Sequence, residues 1–203
     1  MAIHVVTGFP RSGTSMIMAC GIAGRLEPVW SRNRDISIAA KSDDGKWQLQ
    51  HGKSVYEMGP LQTQTLMLRP EEYEGRLVKV MAFGLGSLPP YEGGYRYAVM
   101  WRDPEEIRQS LEGALSRIEM PWLSKPGSYD KRMAFLLAGI RAMPDTLSVT
   151  EFRYREDFTD ASADPHASMS RLADAGWDID VDAAARSVVK AHTRIKREEL
   201  VLC

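Results

Sequence analysis

The sequence predicts an α/β fold, a central parallel sheet flanked by helices in three layers. Three observations carry that expectation. Short β-branched and aromatic runs alternate with segments of helical periodicity along the chain. Strands separated by helices join through right-handed crossovers, which leave neighbouring strands parallel. The first run leads into Gly8-Phe9-Pro10-Arg11-Ser12-Gly13-Thr14-Ser15, a glycine-bearing turn with a helix-like segment directly behind it.

Ile3 to Thr7 reads as a buried strand, ended by that turn, and Thr14 to Arg25 as a helix with Met16, Ile17, Cys20 and Ala23 on one side. Residues 27–55 are polar and irregular, with an exposed tip at Lys41 to Gly45, and are a candidate lid or acceptor-binding loop. Tyr56 to Leu68 follows as a helix closed by Pro70, and Leu77 to Phe83 as the second strand. Gly84 to Gly94 is turn-rich, and Tyr95 to Trp101 is the third strand. The next helix is the best marked. Asp103 is placed to be its N-cap, Pro104 its first residue and Glu106 the partner of a capping box. Ile107, Leu111, Leu115 and Ile118 would then face the sheet. Met120 to Tyr129 is a loop, and Asp130 to Met143 a helix with Met133, Leu136, Leu137 and Ile140 in phase, ended by Pro144. Thr146 to Phe152 is the fourth strand. Asp164-Pro165 opens a helix that Gly176 stops, and a last helix runs from about Asp182 to Glu199 with Val188, Ala191 and Ile195 inward.

Length and charge bound the rest. A chain of 203 residues is expected to form one domain, 1–203. The net charge of −1 gives no global attraction to nucleic acid or membrane, so an anion site must be local. Two cysteines, Cys20 and Cys203, make no disulfide framework, and no charged leader precedes the first apolar run. A cytoplasmic, reducing setting is the expectation.

The first turn carries the chemistry. Gly8 and Gly13, with Thr14 and Ser15 behind them, have the spacing G-x4-G-x-S, close to the ATP-binding loop G-x4-G-K-[ST]. Such a loop turns backbone N–H groups toward an anion at a helix's positive end. Thr14 stands where the lysine of that loop would be, and a cation, Arg11, lies inside the loop instead. A second constellation follows the third strand: Arg102, at the carboxyl edge of the sheet, with Ser110 eight residues on. Charge from the arginine and a donor from the serine could grip a second phosphate.

Together, Pro10-Arg11-Ser12-Gly13-Thr14-Ser15 and Arg102-Asp103-Pro104 with Ser110 resemble the sulfotransferase family, a P-loop NTPase-like fold. The loop form is similar to that of the tyrosylprotein and bacterial or phage branch. The resemblance implies that Pro10, Arg11, Ser12, Gly13, Thr14 and Ser15 hold the 5′ end of the donor PAPS (3′-phosphoadenosine 5′-phosphosulfate). It implies that Arg102 and Ser110 hold the 3′-phosphate. Lys79, in Leu77-Val78-Lys79-Val80, sits where the family's middle strand carries a lysine, and Tyr154 and Asp157 resemble its later Tyr-x-Asp segment. Arg11 and Lys79 are then the catalytic cations. Val55-Tyr56-Glu57 is similar to a segment of the same branch, which makes Glu57 the first candidate base, with Asp35 second. PAPS or its product PAP is the expected co-substrate, with no metal required.

The chain also departs from the family. Met81 stands at the position of the cytosolic enzymes' histidine base, Met16 at that of their adenine-stacking tryptophan, and Arg194 to Arg197 lacks the glycine of their C-terminal motif. Two other classes therefore stay in play: a P-loop kinase or nucleoside triphosphatase, and a non-catalytic nucleotide-binding relative. The acceptor is open among sugar, peptide and small-molecule hydroxyls, with Trp30, Trp47 and Tyr56 as candidate pocket aromatics. Neither nucleic acid nor membrane is an expected partner, and a homodimer is allowed. Among the histidines, His4 reads as packed or edge-facing, His51 as a weak candidate base, and His166 and His192 as helix-surface residues.

Overall fold

Alternation along the first strand, β1 (Ile3–Gly8), separates the two layers of the core. Ile3 and Val5 point to one face of the sheet and Val6 to the other, and all three are fully buried. The computed structural model describes residues 1–31, 39–41, 47–49, 57–113 and 120–195. After β1 come α1 (Thr14–Ala23), β2 (Pro28–Val29), β3 (Ala39–Lys41), β4 (Trp47–Leu49) and α2 (Pro60–Leu68). Then follow β5 (Leu77–Lys79), β6 (Tyr95–Trp101), α3 (Pro104–Gly113), α4 (Ser128–Ala142), β7 (Thr146–Arg153), α5 (Pro165–Asp174) and α6 (Val181–Ile195).

Five of these strands form one parallel sheet in the order β2-β5-β1-β6-β7, an α/β three-layer fold. β1 is central. The chain leaves it for β2 and β5 on one side and returns to β6 and β7 on the other, which opens a crevice at the carboxyl ends of the strands. Apolar residues of α1, α5 and α6 share one core cluster with Val6, Leu77, Ala98 and Met100. The opposite cluster unites Val5, Val78, Tyr97 and Val99 with residues of α2, α3 and α4.

Two sequence expectations change here. Four strands are predicted and the described residues contain a fifth in the sheet: β2 lies within the segment read as irregular, and β3 and β4 pair as a hairpin in the same segment. β2 has only Pro28 and Val29, too short to show a period. The second strand is also shorter than predicted. Val80 N–H still reaches Val6 C=O, but Ala82 to Ser87 winds into a 3₁₀ turn, because Gly84 and Gly86 weaken any extended run there. The α3 start agrees with its signals: Asp103 Oδ1 accepts from the N–H groups of Glu105 and Glu106 at 2.8 and 3.2 Å. Leu115 and Ile118 lie outside the described residues, as does the end of the last helix beyond Ile195.

Candidate functional site

The loop from Phe9 to Gly13 needs glycine at both ends. A Cβ on Gly13 would lie 2.6 Å from the Tyr154 ring, and its φ of 105° already lies where L side chains rarely go. A Cβ on Gly8 would meet Ser12 Oγ at 2.5 Å and Met100 C=O at 2.9 Å. Between them Arg11 takes a φ of 67°, a left-handed conformation that costs a non-glycine residue about 1 kcal/mol or more. Phe9 anchors the loop from below, packed among Trp122 and Tyr129 with ring centroids 4.9 and 5.8 Å away. Gly13 caps α1 without a side chain, and the first turn of that helix holds no acidic residue. Its positive end therefore carries no compensating side chain from its own cap or first turn. Ser12 is fully buried, and its hydroxyl has no hydrogen-bond partner among the described residues.

Strand parity brings the cations to this loop. On β5, Leu77 faces the α1 layer and Val78 the other, so Lys79 returns to the α1 side. It is 3% exposed and donates from Nζ to Ser15 Oγ at 3.0 Å. On the other flank, Arg11 Nε donates to Ser110 Oγ at 2.9 Å, and Arg102 donates to Arg11 C=O at 2.9 Å. The backbone N–H of Arg102 donates to Tyr129 Oη at 3.1 Å, tying this junction to the ring cluster under Phe9. Arg102 also lies over the Tyr154 ring at 4.4 Å. Burial, and then the neighbouring Arg102, pull the Arg11 pKa below its usual value. Both effects disfavour the guanidinium's charge, as expected of a buried cation with a second cation beside it.

The predicted loop residues, Lys79, Arg102 and Ser110 thus meet at the carboxyl edge around β1. One participant escaped the sequence reading in this role. Glu106 bonds Arg102 Nε at 3.0 Å and also pairs with Arg155, and so does not complete the predicted capping box. Its spacing from Arg102, four residues, was the available signal. Glu57 lies apart from the loop cluster along the same edge, half-buried after β2, where its C=O accepts from Ser31 N–H at 3.0 Å. Asp157 takes a structural position, bonding Arg171, Ser168 and the backbone N–H of Arg153. His4 is packed against Trp177, and burial lowers its pKa to about 4. His166 pairs with Asp182 at the surface. Asp35, His51 and Tyr56 lie outside the described residues, as do the side chains of Trp47 and of residues 190–197. Among the described residues there is no cluster of three His, Cys, Asp or Glu side chains suited to a metal ion, and no helix long and apolar enough to cross a membrane.

No family model matches the chain, and no curated protein matches it. Among solved structures it is similar to a sugar kinase from Janibacter sp. HTCC2649, with a TM-score of 0.43 and 15% identity over 92% of this chain and 98% of that one.

Proposed function

We propose that the protein is a sulfotransferase that moves a sulfuryl group from PAPS to a hydroxyl acceptor. The observation that carries this reading is the double link through Arg11. Its side chain bonds Ser110 and its carbonyl receives Arg102, so the loop and the arginine–serine pair share one edge of the crevice. An adenosine carrier with anions at both its 5′ and 3′ positions matches two such adjacent grips. Gly13 lets the Tyr154 ring close against the loop, and that ring in turn carries the Arg102 guanidinium, so the two grips are held together by packing as well as by hydrogen bonds.

In the reaction, the acceptor oxygen bonds sulfur as the bond from sulfur to the bridging phosphate oxygen breaks, and that oxygen keeps the electron pair. The protein's part is positioning and charge. The amides at the start of α1, with Arg11 and Lys79, stabilise negative charge on the leaving phosphate and the sulfuryl oxygens. Lys79 holds Ser15 and is itself fixed by burial, so little reorganisation is needed. Glu57 is the proposed base that takes the acceptor proton. Arg102 holds the 3′-phosphate beside Glu106, which neutralises the arginine until the ligand arrives.

The second reading is phosphoryl transfer from a nucleoside triphosphate. Ser15 favours it, because its hydroxyl stands at the [ST] position of the ATP-binding loop. Against it, Thr14 fills the lysine position and is 3% exposed. Incubation of the protein with PAPS and a mixed pool of hydroxyl acceptors, read by mass spectrometry, tests the proposal directly. Sulfated products are expected. Phosphorylated products with ATP and Mg²⁺, and none with PAPS, would replace it with the second reading.

A further inference from the structure

A cavity of about 540 Å³ opens on the face of the sheet opposite α1, between the 3₁₀ turn after β5 and helix α4. That size lies within the range of small-molecule sites, roughly 300–1,000 Å³. It adjoins the loop: Phe9, the residue before Pro10, forms part of its wall, and the 3₁₀ turn begins three residues after Lys79. Leu85 lines it too, and two aromatic rings stand at the cavity with unusual exposure, Phe83 at 65% and Phe135 at 81%.

Two glycines in the lining set this cavity apart. Gly86 and Gly139 have no positive φ, so neither is required by its backbone. A Cβ at either would meet no atom within 4 Å, so neither is required by packing. Gly139 lies within α4, where glycine is a poorer helix former than alanine. What both have in common is the cavity, which any larger side chain would narrow.

We propose that this cavity receives the acceptor, and that the acceptor is an alcohol or phenol with an apolar ring or chain. The inference rests on the transferase reading above. The polar side chains of the lining are Ser128, Lys131 and Arg132. Lysine and arginine donate but cannot accept, so a sugar's hydroxyl hydrogens would find a single serine among these side chains. An apolar body loses nothing there and gains by covering Phe83 and Phe135. Met58, next to the proposed base Glu57, packs on the same core cluster as Phe9 and Leu85, which puts the base's segment on the cavity's side of the sheet.

The test is titration of the full chain with 1-naphthol, followed by its fluorescence, alongside calorimetry with adenosine 3′,5′-bisphosphate. Saturable naphthol binding is expected, with or without the bisphosphate. Gly139→Leu should weaken naphthol at least about tenfold and leave the bisphosphate unchanged. Leucine is also the better helix former, so the variant should melt no lower. Gly86→Leu, in a different element, should give the same loss. Failure of naphthol to bind, or affinity in both leucine variants equal to that of the unaltered protein, overturns the proposal. Loss of bisphosphate binding in the unaltered protein would instead overturn the transferase reading, which the naphthol titration alone cannot do.

Discussion

Two strand-to-helix junctions lie side by side at the carboxyl edge of the sheet, and they treat their helix ends in opposite ways. At β1–α1 the N-cap is Gly13, with no side chain to offer and no acid in the following turn. At β6–α3 the N-cap is Asp103, whose carboxylate already accepts from two amides, with Glu105 and Glu106 behind it. The first helix end has no side-chain cap or first-turn acid of its own, while the second is satisfied within the chain. Under the proposed function, the second junction would therefore serve a ligand only through side chains, Arg102 before the cap and Ser110 two turns in. The difference teaches that two neighbouring helix ends on one edge need not be treated alike: one leaves its backbone amides uncapped by any side chain, the other satisfies them and sets charge beside them.

Substitutions can break this contrast. The largest effect is expected from Gly13→Ala. Its Cβ would strike the Tyr154 ring at a φ of 105°, so bisphosphate affinity should fall by about a hundredfold and stability by roughly 2–3 kcal/mol. Calorimetry and urea unfolding measure the two, and a variant with full affinity would show that the loop does not hold the ligand. Lys79→Met should lower turnover with PAPS about a hundredfold, the scale of losing one preorganised donor. Rates within a few-fold of the unaltered protein would remove Lys79 from the chemistry.

His4, at the opposite edge of β1, provides an effect on stability alone. Its ordinary pKa of 6.5 falls to about 4 in the folded chain, mainly through burial, with Arg96 adding to it. Between those values the unfolded chain binds more protons. The contribution of His4 is thus complete above about pH 6.5 and is lost as the pH falls toward 4. At pH 5 the loss should be about 2 kcal/mol, absent in His4→Phe, with bisphosphate affinity the same in both proteins. A parallel pH profile for the two would reassign the acid sensitivity. The smallest effect belongs to Asp103→Ala. Removing that cap should cost about 1 kcal/mol in unfolding and change bisphosphate affinity less than twofold. A large loss of binding would mean that the α3 terminus itself holds a phosphate.

Most of the architecture was legible in the sequence because its signals are local. The β1 run, the caps at Asp103 and Asp164 and the apolar phases of α3 and α4 each lie within a few residues of one another. The loop was legible for the same reason. What escaped depends on pairing across the chain. β2 is two residues long and is a strand only because β5 lies beside it. The bond from Lys79 to Ser15 spans 64 positions and follows from strand parity, which shows only once the layers are known. Glu106 carries a capping-box signal, yet Arg102 and Arg155 draw its carboxylate away, because two charge-assisted bonds outweigh one neutral amide. The cavity was hidden for a further reason: its walls come from Ala82 to Gly86 and from Ser128 to Met143, segments that are distant in sequence.

The central claim is that the loop holds the 5′ end of an adenosine carrier while Arg102 and Ser110 hold its 3′-phosphate. Calorimetric titration of the unaltered protein and of Arg102→Ala, each with adenosine 3′,5′-bisphosphate and with adenosine 5′-monophosphate, tests it most directly. The bisphosphate should bind the unaltered protein the more tightly, with no need for Mg²⁺. Arg102→Ala should weaken it about thirtyfold, the equivalent of about 2 kcal/mol, while leaving the monophosphate nearly unchanged. Equal losses for both ligands would contradict the claim.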